Sequence, residues 1–260
     1  MVDEADIAKA KELAAGPLGE KMAKFPLLFA MAAFFGQRPS KSRPTEVRNG
    51  TITLADLGKG PLAITCHHVI TAYRERRAAL EKVIFQIGDI QIDPIDQLID
   101  EDERLDLATI RLTESQVKAI TSQGEIGSCV FQPKSWPPPL PKEGEYVAFG
   151  GFPGTLRSVI SFDELSFGSW SSGASQISSV SEFQFASVFE REFWVQSFGN
   201  KHHMDLNALG GMSGGPAFLN RGLYWDLVGI VSHYNETYDT VLFASVRGIH
   251  HDGTIEGPPV

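Results

Sequence analysis

Gly210-Gly211-Met212-Ser213-Gly214-Gly215-Pro216 is the segment whose residue types most directly carry chemistry. A serine between glycines can sit on a tight turn with its hydroxyl exposed and backbone N–H groups converging beside it. Such donors matter because attack on a carbonyl carbon places negative charge on its oxygen. A plain glycine-rich turn has the same residues, so the serine needs a base before it means more. Seven histidines are available: His67, His68, His202, His203, His233, His250 and His251. Six of them form three adjacent pairs, and neighbours at i and i+1 point in divergent directions, so each pair offers at most one inward nitrogen. The H-x-x-x-H spacing of helical metal sites does not occur, and neither a metal site nor a cofactor is expected. Ala63-Ile-Thr-Cys-His-His-Val-Ile70 stands apart. There a buried β run ends in two histidines and continues into Thr-Ala-Tyr-Arg-Glu-Arg-Arg, which is helical in composition. A histidine at such an exit can face a cleft, and an acid must then orient its imidazole. Asp106, at the mouth of the apolar strand Leu107-Ala-Thr-Ile-Arg-Leu112, is the candidate. By itself it is equally an ordinary acid at a strand entry.

A G-x-S-x-G pattern also fits the nucleophile elbow of α/β-hydrolases. That elbow needs a helix directly after the serine, whereas Pro216-Ala-Phe-Leu reads as a strand. It also needs an acid and then a histidine downstream, and little chain remains for them. The topology excludes it.

The elements that must position these residues are mostly short strands. From Asn49 onward, β-rich runs at Thr51–Leu57, Pro61–Thr65, Lys82–Ile92 and Leu107–Leu112 are separated by glycine-rich and acidic turns, the pattern of a sandwich or barrel. Thr113-Glu-Ser-Gln reads as the capped start of a short helix. Residues 132–144, with five prolines, form the clearest linker, because proline removes backbone donors and fixes an extended path. Strand-like runs resume at Glu145–Gly150, Ser158–Phe162, Gln176–Phe185, Phe193–Ser197, Pro216–Leu219, Asp226–Ser232 and Val241–Val246. Ahead of all this, residues 3–36 carry helical spacing of Ala, Leu, Lys and Glu and then the dense apolar run Phe25 to Phe35. That run is too short for a bilayer, which takes about 20 residues, and is expected as a buried helix. The chain therefore divides into a helical extension and connector (1–48), a first β half (49–131), the linker (132–144), and a second β half with a C-terminal tail (145–260).

The 260 residues carry 23 Lys and Arg against 32 Asp and Glu, a net charge of −9, with 42% hydrophobic and 21% charged residues. This is a globular composition. Its acidic balance repels phosphate backbones, so no nucleic-acid partner is expected, and no membrane association either. Two cysteines, Cys66 and Cys129, are too few for a disulfide framework. With an acidic start before any apolar stretch, they point to a reducing, cytoplasmic setting.

Taken together, Thr65-Cys66-His67-His68-Val69, Asp106-Leu-Ala-Thr-Ile-Arg-Leu and Gly211-Met-Ser-Gly-Gly-Pro216 resemble the motifs of the chymotrypsin-like (trypsin-like, S1-type) serine peptidases, particularly bacterial trypsin-like peptidase domains. The order His, Asp, Ser is that family's order. Val228-Gly-Ile-Val-Ser232 looks like the strand that lines the substrate site, and Gly151-Phe-Pro-Gly resembles a turn of the bacterial branch. The resemblance, which covers about residues 49–250, implies a mainly β fold of two six-stranded antiparallel β-barrels; the N-terminal helical extension, which packs against that body, lies outside the resemblance and is the candidate surface for a protein partner. It implies His68, Asp106 and Ser213 as catalytic residues, the amides of Gly211 and Ser213 as the oxyanion hole, and Ser232 as support for Asp106. His68, the residue before Val69, takes the base position, so His67 should face away. The substrate would be a polypeptide. Six positions before the serine, where a carboxylate would select Lys or Arg, stands the neutral Asn207, with Asp205 nearby. The sequence Ser232-His233-Tyr234 puts a phenol where many relatives have glycine, which implies a preference for small or medium apolar side chains. No Ile-Val-Gly-Gly activation terminus is present. A catalytically inactive peptide-binding module on the same fold, or an esterase using Ser213, are the competing readings.

Overall fold

The computed structural model describes residues 12, 16–37, 46–122, 129–189 and 209–257. Its first sheet contains seven antiparallel strands: β1 (Ala30–Gln37), β2 (Arg48–Asp56), β3 (Pro61–Thr65), β4 (Val83–Ile87), β5 (Ile90–Ile92), β6 (Leu98–Asp102) and β7 (Leu107–Arg111). They lie in the order β5-β4-β1-β2-β3-β7-β6, a curled half-barrel rather than the six-stranded barrel expected. In the second half come β8 (Tyr146–Gly151), a small hairpin of β9 (Arg157–Val159) and β10 (Leu165–Phe167), then β11 (Trp170–Val180), β12 (Gln184–Val188), β13 (Pro216–Asn220), β14 (Trp225–Asn235) and β15 (Thr240–Ser245). Six of these close into a barrel in the order β11-β12-β15-β14-β13-β8. The fold is chymotrypsin-like, mainly β, as the motifs implied.

The run Phe25 to Phe35 is not a helix. After α1 (Pro17–Lys24), the chain makes a 3-10 turn over Phe25–Phe29 and enters the first sheet as β1. Strand β1 pairs with β2 along one edge and β4 along the other, and nearly all of it is buried. A strand covered on both faces shows no polar alternation, so its Ala- and Phe-rich sequence imitates a buried helix. The preceding turn straps the two halves together. Phe25 stacks on Trp225 at 4.6 Å and meets Phe218 edge-on, while Phe29 meets Phe131 and Phe218. Leu27 is buried, and the Ser171 hydroxyl donates to the Ala23 carbonyl. The described part of the extension is thus packed on both halves of the chain, its helix and turn on the second and β1 within the first sheet.

Two further helices matter for the site. Helix α2 (His67–Ala79) starts directly after β3. Helix α3 (Glu114–Thr121) follows β7 and carries the expected cap: Gln116 N–H donates to Thr113 Oγ1 at 3.2 Å, and Gln116 Oε1 accepts from Thr113 N–H at 2.8 Å. No described helix is long and apolar enough to cross a membrane. The core of the first half continues into Phe218, Leu227, Ile230 and Val246 of the second, and a separate cluster around Phe149, Trp170 and Phe243 fills the closed barrel.

Candidate active site

At the N-terminus of α2 the first amides have no partner within the helix. The N-cap residue, Cys66, supplies no side-chain cap. Asp106 does so from a neighbouring turn: His68 N–H donates to Asp106 Oδ1 at 3.0 Å. The same carboxylate receives the His68 ring, with Nδ1 3.0 Å from Oδ1 and 2.9 Å from Oδ2. Asp106 reaches this position because its backbone is left-handed, φ +54°, at the end of a turn in which Asp102 Oδ1 accepts from the amides of Arg104 and Leu105. Aspartate is among the few side chains that adopt such a backbone readily. Ser232 completes the shell of Asp106, donating from Oγ to Oδ2 at 2.6 Å. Burial works to raise the Asp106 carboxyl, but hydrogen bonds from His68 and Ser232 and the nearby imidazole outweigh it and hold it below the usual aspartate range.

Ser232 lies where the β14–β15 register shifts, between Val231 and His233. Such an irregularity re-aims the backbone, and here both ends of Ser232 serve the site. While its hydroxyl contacts Asp106, its carbonyl accepts the Ser213 hydroxyl at 3.1 Å. Among the described residues the Ser213 hydroxyl bonds to this carbonyl and not to His68. The sequence-predicted His68, Asp106, Ser213 and Ser232 are therefore brought to one place by four separate segments.

The turn carrying Ser213 is fixed from beneath by β2. Three alternate residues of that strand face it, as the period of two requires. Asn49 Nδ2 donates to Phe152 O at 2.8 Å. Thr51 Oγ1 donates to Gly211 O at 2.8 Å and accepts from Phe152 N–H at 3.0 Å. Thr53 Oγ1 donates to Gly214 O at 2.7 Å, and Thr51 N–H donates to Ser213 O at 2.8 Å. None of these three was among the residues expected at the site, yet their signal is visible: polar side chains at alternate positions of a strand, interleaved with Gly50, Ile52 and Leu54. Two glycines are indispensable to the close approach. A Cβ on Gly211 (φ +97°) would lie 2.3 Å from Asn49 Nδ2 and 2.8 Å from backbone atoms of Phe152 and Gly154. One on Gly214 (φ +97°) would lie 1.8 Å from Thr51 O.

The flanking peptides are oriented as well. Gly210 O accepts from Gly154 N–H at 2.7 Å and Met212 O from Gly215 N–H at 2.9 Å. In a trans peptide the N–H points opposite to its C=O, so the amides of Gly211 and Ser213 face away from these contacts. Among the described residues neither amide has a hydrogen-bond acceptor. Two oriented, unused donors beside a serine hydroxyl can stabilise an oxyanion.

The remaining predicted residues are dispersed. His67 faces away from Asp106: Nε2 is 3.0 Å from Thr71 Oγ1 and Nδ1 3.3 Å from Glu101 Oε2. His233 is exposed. Tyr234 packs edge-on against Phe189 at 5.5 Å and donates to Asp239 Oδ1 at 2.5 Å. Asn207, with Asp205, His202, His203 and the expected strand Phe193–Ser197, falls outside the described residues. Cys66 is buried at the end of β3, Cys129 is exposed, and no disulfide joins them.

The profile of the family described as trypsin-like peptidase domain matches residues 49–230. No curated protein sequence gives a significant match. Similar solved structures include a catalytically inactive tobacco etch virus protease complexed with substrate, 17% identical over 83% of this chain and 77% of that one, with a TM-score of 0.43. Another is a protease from M. tuberculosis in its active form, 14% identical over 95% and 88% of the two chains, TM-score 0.42. A third is a thermostable serine protease from an extremophilic microorganism, 15% identical over 84% and 90%, TM-score 0.45. With the family profile spanning most of both halves and including His68, Asp106 and Ser213, this chain belongs to the trypsin-like peptidase domain family.

Proposed function

We propose that the chain is a serine endopeptidase that cleaves polypeptides through an acyl-enzyme. Ser213 attacks the scissile carbonyl, and His68 takes its proton and then gives it to the leaving amine. Asp106 holds His68 with its proton on Nδ1 and stabilises the imidazolium that forms. The amides of Gly211 and Ser213 receive the oxyanion. The observation that carries this reading is the continuous connection His68–Asp106–Ser232–Ser213 beside two oriented amides that have no acceptor among the described residues. For the serine to transfer its proton, its hydroxyl must rotate from Ser232 O toward His68, a tightening common when substrate enters.

Tyr234, tethered to Asp239 and packed on Phe189, narrows the primary pocket and favours small or medium apolar side chains before the scissile bond. Profiling a peptide library checks this: cleavage mainly after Lys or Arg would reverse it.

The bond from Ser213 to Ser232 O favours a second reading, a peptide-binding module that does not cleave. A fluorophosphonate probe separates the two. Labelling that disappears in Ser213→Ala supports the peptidase. No labelling of the wild type, or labelling that survives in Ser213→Ala, removes it.

A further inference from the structure

One buried thiol beside the site has no task in that chemistry. Cys66 is fully buried, and its Sγ donates to Val231 O at 3.2 Å. Burial, and then the charge of Asp106, push its thiol well above the ordinary range, so it is no nucleophile as it stands. Yet its sulfur, a ring nitrogen of His68 and a carboxylate oxygen of Asp106 all lie within 4.8 Å of one another. We propose that Cys66, His68 and Asp106 form an inhibitory site for a thiophilic divalent cation, with Zn²⁺ the fitting ion. The loss of activity rests on the serine-peptidase reading, whereas the binding of the ion does not.

The donor set suits zinc. Sulfur, imidazole nitrogen and carboxylate oxygen are its ordinary ligands, and the thiolate selects against Mg²⁺ and Ca²⁺. With bonds of about 2.0–2.3 Å, ligand atoms in a tetrahedral shell stand roughly 3.3–3.8 Å apart. The most distant pair here therefore has to close by about 1 Å. The half-exposed His68 side chain provides the way in, at 52% relative exposure, and a water can take the fourth position. Ser232 Oγ still holds Asp106 from behind, as a group that orients a metal ligand should.

The step balances without any oxidant. The Cys66 S–H bond breaks and its proton leaves to solvent while a sulfur–zinc bond forms. His68 gives zinc the lone pair of Nδ1, and its proton resides on Nε2. A thiol, a carboxylate and a neutral imidazole, net −1, become a neutral zinc complex. Charge compensation favours that complex in a half-buried site. With Nε2 protonated, His68 cannot accept the Ser213 proton, and Asp106 no longer orients it.

The test uses the full chain, stripped with a chelator and then given Zn²⁺, Mg²⁺ or Ca²⁺ alone. Fluorophosphonate labelling of each variant is compared with its own metal-free rate. Zinc should suppress labelling in the wild type and in Cys129→Ser, with Mg²⁺ and Ca²⁺ without effect. Loss of a group that only orients a ligand costs about 10- to 100-fold in metal affinity, so Cys66→Ala should need more than ~100-fold more zinc. Independently, Co²⁺ should give a thiolate-to-cobalt charge-transfer band in wild type and Cys129→Ser that is lost in Cys66→Ala. Cys66→Ser, closer in size to the natural residue, repeats both measurements if Cys66→Ala does not fold. Unchanged zinc sensitivity in the Cys66 variants, or no cobalt band in the wild type, overturns the proposal. A chain that never labels but shows a Cys66-dependent cobalt band sinks the peptidase reading and leaves the ion site standing.

Discussion

In the first half of the molecule, His68 and Asp106 are joined by both a backbone amide and a ring nitrogen, and a helix start and a left-handed turn hold them from either side. In the second half, Ser213 makes no such bond with the histidine. Its hydroxyl rests on Ser232 O, and its turn takes its shape from β2 of the other half. The acid–base pair is thus held mainly from within its own half, with Ser232 Oγ reaching Asp106 from the other, while the turn of the nucleophile depends on the interface between the two halves. Substitutions of the acid–base pair should remove chemistry and leave the fold, whereas those under the serine turn should alter both.

The largest effect should come from the acid–base pair. His68→Ala and Asp106→Asn are each expected to lower the fluorophosphonate labelling rate by about 10⁴-fold. His67→Ala should label near the wild-type rate and show its loss in thermal stability instead. If the two histidines exchange these outcomes, the assignment of the base moves by one residue.

Next comes the interface-dependent half. Gly211→Ala strains a left-handed backbone and drives its Cβ into Asn49 and the Phe152–Gly154 backbone, so the oxyanion segment must shift. Losing one donor costs about 10²–10³-fold in turnover. Wild-type kinetics in this variant would show that the Gly211 amide is not used.

A smaller effect is expected one layer down. Thr51→Val leaves Gly211 O and Phe152 N–H without their partner, at a cost of about 1–3 kcal/mol. Turnover should fall about tenfold, the equivalent of roughly 1.4 kcal/mol in the barrier. Thr51→Ser should restore both turnover and stability. Rescue of stability alone would reduce Thr51 to a packing residue.

The smallest effect concerns acid stability. Asp106 is held below the usual aspartate range only in the folded chain. Its contribution to stability is therefore complete above the unfolded value of about 3.9 and is lost as pH falls through the lower folded value. The difference in unfolding free energy between wild type and Asp106→Asn should be flat near neutrality and shrink only below about pH 4. A difference that instead grows toward acid pH would contradict the direction of the shift.

Much of this was legible in the residues. The three motifs located His68, Asp106 and Ser213 because each combines a rare residue type with a local backbone requirement, such as glycine around a tight turn. The strands β3 and β7 were readable for the same reason, being apolar runs with clear stops. What escaped was set by distant partners. Strand β1 shows no alternation because it is covered on both faces. The run Lys82–Ile92 breaks into β4 and β5 at Gly88, whose left-handed backbone makes the turn. Strand β6 was missed because Leu98-Ile-Asp-Glu-Asp102 is acidic, as an edge strand can afford to be. Asn49, Thr51 and Thr53 look like ordinary strand polarity until the glycine turn they hold is placed above them.

The aromatic strap also carries a consequence for the order of assembly. Phe25 and Phe29 leave the ribosome well before Phe218 and Trp225, rings that cover them and are made almost two hundred residues later. Until then Phe25 lacks both rings and Phe29 has only Phe131 of its ring partners, and contacts of such long sequence separation are slow to form. The first sheet can gather around β1 while its leading turn stays uncovered. A nascent chain of this protein therefore exposes a sticky segment until its second half has been made, and shielding by a chaperone would matter more for its yield than for its final stability.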